Sequence, residues 1–300
     1  MGIRSRANLN AVSTPTAAPQ LFQLAIGNST TEATLYRVDR ADAPCMLVFP
    51  ALGTPARPYQ RLAMALQARG VHTLIADWRG MASSSVRAAR EVDWGYLDLV
   101  DGEASAMLAL ARRELPNANL HGLGHSLGGQ VALLHAARYP HDTLASLMLS
   151  ASATPHYRAY PFPYRLKVYA FTWLVTAMAN TLGVFRGDWL GFGGRQGASL
   201  MREWSRFSRS GRLTALGPRR WDAGPALADL RLPLFVLSMH GDSFAPASAA
   251  RELAGMTSGS AISEHLKALH NGETPGHFGW LRAPDAVADR VAEWLQIRRS

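Results

Sequence analysis

Asn119-Leu-His-Gly-Leu-Gly-His-Ser-Leu-Gly-Gly129 is the stretch whose reading decides the fold. Asn119 to Leu123 reads as a short strand and Gly128 to Arg138 as a helix, so Gly124-His-Ser-Leu-Gly128 falls at their junction. A serine on a sharp strand-to-helix turn is lifted out of the sheet, and flanking glycines relieve the crowding there. The helix N-terminus behind it favours developing negative charge. Ser126 is therefore the candidate nucleophile. The bare pentapeptide is a weak signal; its place between a strand and a helix is what gives it weight.

Outward from this point the chain alternates. On the N-terminal side, two strands are expected near Leu21 to Ile26 and Thr34 to Val38, then the apolar run Cys45 to Phe49 as a buried strand. A helix over Ala56 to Arg69 and a strand over Val71 to Ala76 follow. From Tyr96 to about Arg113, Leu97, Val100, Ala104, Leu108 and Ala111 keep one helical face. On the C-terminal side the expected elements are a strand at Leu144 to Leu149, one at Pro233 to Met239, a helix at Pro246 to Ala254 and a weak strand at Ala261 to Leu266. The closing helix begins at Pro284 and Asp285. This pattern predicts an α/β fold, a mainly parallel sheet with helices on both faces.

A serine hydroxyl needs a histidine to take its proton and a carboxylate to orient that histidine. On sheets of this kind the acid and then the histidine follow the serine along the chain. Asp242, three residues beyond the strand ending at Met239, and His277, ahead of the closing helix, occupy those places. Asp242 could instead be a turn residue, as Gly241 and Ser243 suit one. His240 and His270 compete with His277. The loop from Ser150 to Thr154 offers no carboxylate at the other usual acid position. Two backbone N–H donors are needed for an oxyanion: that of Leu127, after the serine, and one from Pro50-Ala-Leu-Gly-Thr54, where Leu52 is the best match and Ala51 the reserve. His121, His125 and Arg79 read as structural.

Pro50-Ala-Leu-Gly-x-Pro-x-x-x-Tyr59, Asp77-x-Arg-Gly80, Gly124-His-Ser-x-Gly-Gly129, Asp242-Ser-Phe-Ala-Pro246 and Gly276-His-Phe-Gly279 together resemble the α/β-hydrolase superfamily. The likeness runs from about Cys45 to Leu295, nearest to bacterial hydrolases of the monoacylglycerol-lipase and serine-aminopeptidase-like branch. That resemblance implies a serine triad with no metal and no cofactor, and hydrolysis of a carboxylic ester or, by the same chemistry, a thioester, lactone or amide. A lyase, a cofactorless peroxidase or a binding module on the same fold are the rivals from other classes.

Residues 153–228 separate two core strands and are expected to form a helical cap, between core segments 21–152 and 229–300 and behind a loose N-terminal arm, 1–20. The cap carries eleven Lys or Arg and three Asp or Glu, a net +8 of the protein's +9. It is rich in aromatics. Leu200, Trp204 and Phe207 share one helical face while Arg202, Arg206 and Arg209 share another, so this helix is read as resting on the core or on a lipid surface. The uncharged stretch Val168 to Phe185 is interrupted by polar residues and reads as a buried or surface-dipping helix. The expected partner is a small acyl substrate, amphiphilic or anionic in character, with peripheral membrane contact through the cap. Without any recognised nucleic-acid motif, the basic charge does not indicate nucleic-acid binding. A single cysteine, Cys45, excludes an internal disulfide. No signal-peptide pattern follows Arg4 and Arg6, and the expected location is cytoplasmic.

Overall fold

The computed structural model describes residues 18–142 and 144–297. The expected N-terminal arm lies outside the described residues apart from its last three, of which Gln20 already opens the first strand. Eight strands form one sheet in the order β1 (Gln20–Ile26), β2 (Ser29–Tyr36), β4 (His72–Ala76), β3 (Cys45–Phe49), β5 (Leu120–His125), β6 (Ser146–Ser150), β9 (Leu234–Met239), β10 (Ala261–Leu266). β1 and β2 pair antiparallel, β2 joins β4 antiparallel, and all later neighbours run parallel.

The central strands are buried along their whole length, which is why they read as short runs that are largely apolar and free of Asp, Glu, Lys and Arg. Alternate side chains feed two separate cores. Cys45, Leu47 and Phe49 of β3 point into the larger one, with α3 (Ser105–Glu114) and α4 (Leu127–Arg138). Met46 and Val48 point into the other, with α1 (Gln60–Gln67) and α9 (Asp285–Ile297). After β3 the chain moves to one side, to β4, then returns across β3 to β5. The loops at the carboxyl ends of β3 and β5 therefore diverge and leave a crevice, the place where such sheets bind ligands.

Three elements depart from the expectation. β2 spans Ser29–Tyr36 rather than starting near Thr34, because Gly27 at φ +56° lets Ile26 and Ser29 pair across a two-residue turn. Its polar first half carries no apolar signal. The helix expected from Tyr96 is a short α2 (Tyr96–Asp98), a π-helical stretch Leu99–Ala104, and α3. Inside that stretch Gly102 lies close to Arg79 and Ile26, where an added Cβ would come within 2.8 Å of the guanidinium. The segment between β6 and β9 is not wholly helical: α5 (Tyr164–Leu182), α6 (Ala198–Ser210) and α7 (Gly224–Asp229) are joined by an antiparallel pair, β7 (Val184–Arg186) and β8 (Arg195–Gly197). No helix among the described residues is long and apolar enough to cross a membrane. α8 (Ala247–Ala254) completes the main elements.

At the β5–α4 junction Ser126 takes φ +53°, ψ −119°, a conformation rarely adopted by residues with a side chain. It is held there by contact on all sides. A Cβ on Gly124 would meet the Gly129 Cα at 2.3 Å, one on Gly128 the Phe49 carbonyl oxygen at 2.0 Å, and one on Gly129 the Ser152 Oγ at 2.2 Å. The Ser126 carbonyl accepts from Ser152 Oγ at 2.6 Å. Gly128→Ala is therefore expected to lower the unfolding free energy by about 1–3 kcal/mol, the usual cost of overpacking, visible as a lower urea midpoint. An unchanged midpoint would mean that α4 can move off β3 without cost.

Candidate active site

Ser126, Leu127, Leu52 and His277 line one cavity of about 750 Å³ at the carboxyl ends of β3 and β5. Asp242, in the turn after β9, reaches it through the histidine: its Oδ2 lies 2.8 Å from His277 Nδ1. The carboxylate is buried, and its Oδ1 accepts the N–H groups of Phe244 at 2.8 Å and Ala245 at 2.9 Å. The carboxylate thus uses one oxygen on the backbone and the other on the ring, which it orients. The turn-residue reading of Asp242 is thereby also met, since one oxygen caps the turn while the other holds the histidine. No hydrogen bond joins Ser126 to His277 among the described residues; such contacts are often long in free enzymes and tighten with substrate.

The competing histidines lie elsewhere. His270 is 3.2 Å from Asp289, and the His240 ring stands beside His265 at 5.9 Å. His121 bonds Ser146 Oγ at 2.8 Å within the core. Arg79 braces its loop against the buried Glu103 at 2.9 Å.

The loop after β3 separates its two candidate donors. The Ala51 N–H donates to Tyr59 Oη at 2.8 Å, so it is already engaged. The Leu52 N–H has no acceptor among the described residues. Tyr59 Oη, which accepts that bond, also lies in hydrogen-bond contact with His125 Nδ1 at 2.7 Å. Both side chains are fully buried. His125 packs on His277 at 4.9 Å and Trp280 at 5.1 Å, and Trp280 Nε1 donates to the His277 carbonyl at 3.0 Å. A buried Tyr59–His125 pair thus connects the loop of Leu52, the strand of Ser126 and the loop of His277. From the sequence, His125 reads only as structural and Tyr59 only as the end of the Pro50–Tyr59 motif. Their pairing spans 66 positions and has no local signal.

The far wall comes from the segment between β6 and β9. Val168, Phe171, Leu190, Phe192 and Trp204 make it apolar. Gly193 closes on the Leu52 loop: a Cβ on Gly53, which has φ +67°, would sit 2.2 Å from the Gly193 carbonyl oxygen. Of the apolar face expected on α6, Leu200 and Phe207 are buried and Trp204 faces the cavity. The α6 arginines bond within the protein: Arg202 to Asp93 at 3.3 Å, Arg206 to the Ala215 carbonyl at 3.1 Å, and Arg209 to Thr176 Oγ1 at 3.1 Å.

This sheet, with its serine elbow at the end of β5 and a histidine–carboxylate pair after the later strands, defines an α/β-hydrolase. Residues 42–203, more than half of the chain, match the family described as serine aminopeptidase, S33, and the chain belongs to that family. Solved structures with the same fold include a soluble variant of monoglyceride lipase from Saccharomyces cerevisiae in complex with a substrate analogue. Its TM-score is 0.67 at 12% identity, over 95% of this chain and 97% of that one. A highly thermostable carboxyl esterase from Bacillus coagulans, in complex with glycerol, gives 0.66 at 13% identity over 94% and 99%. Est1E from Butyrivibrio proteoclasticus with bound ferulic acid gives 0.63 at 13% over 92% and 98%. The chain is accordingly a hydrolase of the α/β-hydrolase class.

Burial, reinforced by neighbouring His277, holds His125 well below the usual histidine range, and burial pushes His135 of α4 down to about 4. Groups whose folded pKa is depressed contribute stability above their unfolded pKa of about 6.5, and lose it as pH falls below that value. Unfolding free energy should therefore be flat above pH 7 and fall between pH 6.5 and 4. His135 alone should contribute about 2 kcal/mol of the loss at pH 5. Urea titrations of the wild type and His135→Gln at pH 7.5 and 5 check this, the variant showing the shallower acid dependence. Parallel pH curves would refute the assignment.

Proposed function

We propose that this chain hydrolyses carboxylic esters through an acyl-enzyme on Ser126. The observation that carries the reading is the buried Asp242–His277 pair opening onto the same cavity as a serine held at positive φ. In this reading His277 Nε2 removes the Ser126 proton as Oγ adds to the substrate carbonyl carbon. Asp242 keeps the proton of His277 on Nδ1 and stabilises the imidazolium that forms. The N–H groups of Leu127 and Leu52 receive the developing oxyanion. The imidazolium then protonates the leaving alcohol, and water activated by His277 releases the acid and restores Ser126.

An ester is favoured over a peptide N-terminus by the charges around the cavity. An aminopeptidase needs an unengaged carboxylate for the substrate's α-ammonium group. Asp188 is the acid lining the cavity, and it is bonded to Arg186 at 2.8 Å, while Asp242 is bonded to His277. The apolar wall suits an acyl chain or an aryl acid. Residues 153–228 act here as the cap that reads it. Thioesters, lactones and amides would use the same groups, and the leaving group decides among them.

A fluorophosphonate probe is expected to label wild-type protein at Ser126 and not Ser126→Ala. With p-nitrophenyl esters, Ser126→Ala and His277→Ala should lose about 10⁴-fold or more in kcat, and Asp242→Asn less. Equal, mild losses in all three would overturn the assignment. Leu52→Pro, which deletes one donor, should lower kcat by about 10² with little change in KM. If kcat is unaffected, Leu52 does not hold the oxyanion.

A further inference from the structure

α5 is apolar on two opposite faces. Val168, Phe171, Thr172, Val175 and Ala179 turn inward, toward the cavity or the core. Leu166, Tyr169, Ala170, Trp173, Leu174 and Ala177 recur at helical spacing along the other side and lie in solvent. Leu166 is 55% exposed and Trp173 53%, and the flanking Phe162 and Trp189 are 69% and 61% exposed. Isolated exposed apolar residues are ordinary, but a continuous stripe on a helix already packed on its other side marks a contact surface.

The charges beside the stripe indicate what it contacts. Arg165 stands over the Phe162 ring at 5.5 Å, Arg209 over Trp173 at 4.5 Å, Arg186 over Trp189 at 4.2 Å and Arg158 over Tyr157 at 5.6 Å. Between Tyr157 and Leu190 there are four cationic side chains and one acid, Asp188, which Arg186 already engages. An aromatic body beneath a guanidinium suits the boundary between acyl chains and anionic headgroups. A second copy of this chain fits poorly, because an isologous contact would set this cationic surface against itself.

We propose that the outer stripe of α5 docks on an anionic lipid bilayer. Lys167 and Val168 of the same helix line the cavity, so docking would bring the cavity mouth to the lipid surface. The proposal rests on the surface alone and survives if the ester reading fails.

Co-sedimentation of the full chain with phosphatidylcholine vesicles, with and without about 30 mol % phosphatidylglycerol, tests it at about 0.1 M salt and at higher salt. Binding is expected to the anionic vesicles, with little to the neutral ones, and to weaken as salt rises. Leu166→Ser/Trp173→Ser should reduce it about tenfold or more, and Arg165→Gln about fivefold. None of these three side chains lines the cavity, so turnover of a water-soluble p-nitrophenyl ester should be unchanged and shows that the variants fold. No binding to anionic vesicles, equal binding to both compositions, or wild-type binding by the double variant would overturn the proposal. So would gel filtration showing a dimer that the double variant dissociates, which would assign the stripe to a second copy.

Discussion

The approach of α4 to β3 is the constraint from which the site follows. Gly128 lies so close to the Phe49 carbonyl that only a glycine fits, and Gly124 and Gly129 close the same corner from other sides. With the helix pressed this tightly onto the sheet, the chain can turn only if Ser126 takes a positive φ. The unfavourable backbone is sustained by close-packed cores above and below the sheet, which leave the corner no room to relax. The same turn sets the serine beside the first amide of α4, which is the arrangement that the proposed roles of nucleophile and oxyanion donor require.

Around that corner, several buried polar groups are tied to one another and to the backbone. Asp242 spends one oxygen on two backbone N–H groups and the other on His277. Tyr59 Oη accepts the Ala51 N–H and shares a hydrogen bond with His125 Nδ1. In a low-dielectric interior such networks are rigid, because breaking one bond leaves a desolvated group without a partner. The Leu52 amide stands apart, in a residue that lines the cavity and with no acceptor among the described residues. The oxyanion role proposed for it needs such a donor, one that the resting fold leaves unengaged.

The segment between β6 and β9 solves a different problem. It covers the cavity with apolar side chains and bonds its α6 arginines within the protein, while Glu203 of α6 accepts the Tyr96 N–H of the core with one oxygen and the Gly217 N–H of the segment itself with the other. Its positive charge is thus divided. The α6 arginines brace the segment, whereas those at Phe162 and Trp189 lie at the surface beside exposed rings.

The local order of strand, turn and helix was legible in the sequence, because buried parallel strands must be short apolar runs and the elbow must be rich in glycine. That sufficed to place Ser126, Asp242 and His277 in the loops after successive strands, and the structure sets Ser126 and His277 on one cavity with Asp242 behind the histidine. The polar half of β2 was not legible, since its pairing is set by a turn and not by burial. Nor was the π-helical stretch at Leu99–Ala104, whose apolar spacing matches an ordinary helix. The engagement of the Ala51 N–H by Tyr59, the Tyr59–His125 pair and the partners of the α6 arginines belong to the tertiary structure alone. Each depends on atoms brought together from distant parts of the chain, and a hydrogen bond formed across such a separation leaves no periodicity to read.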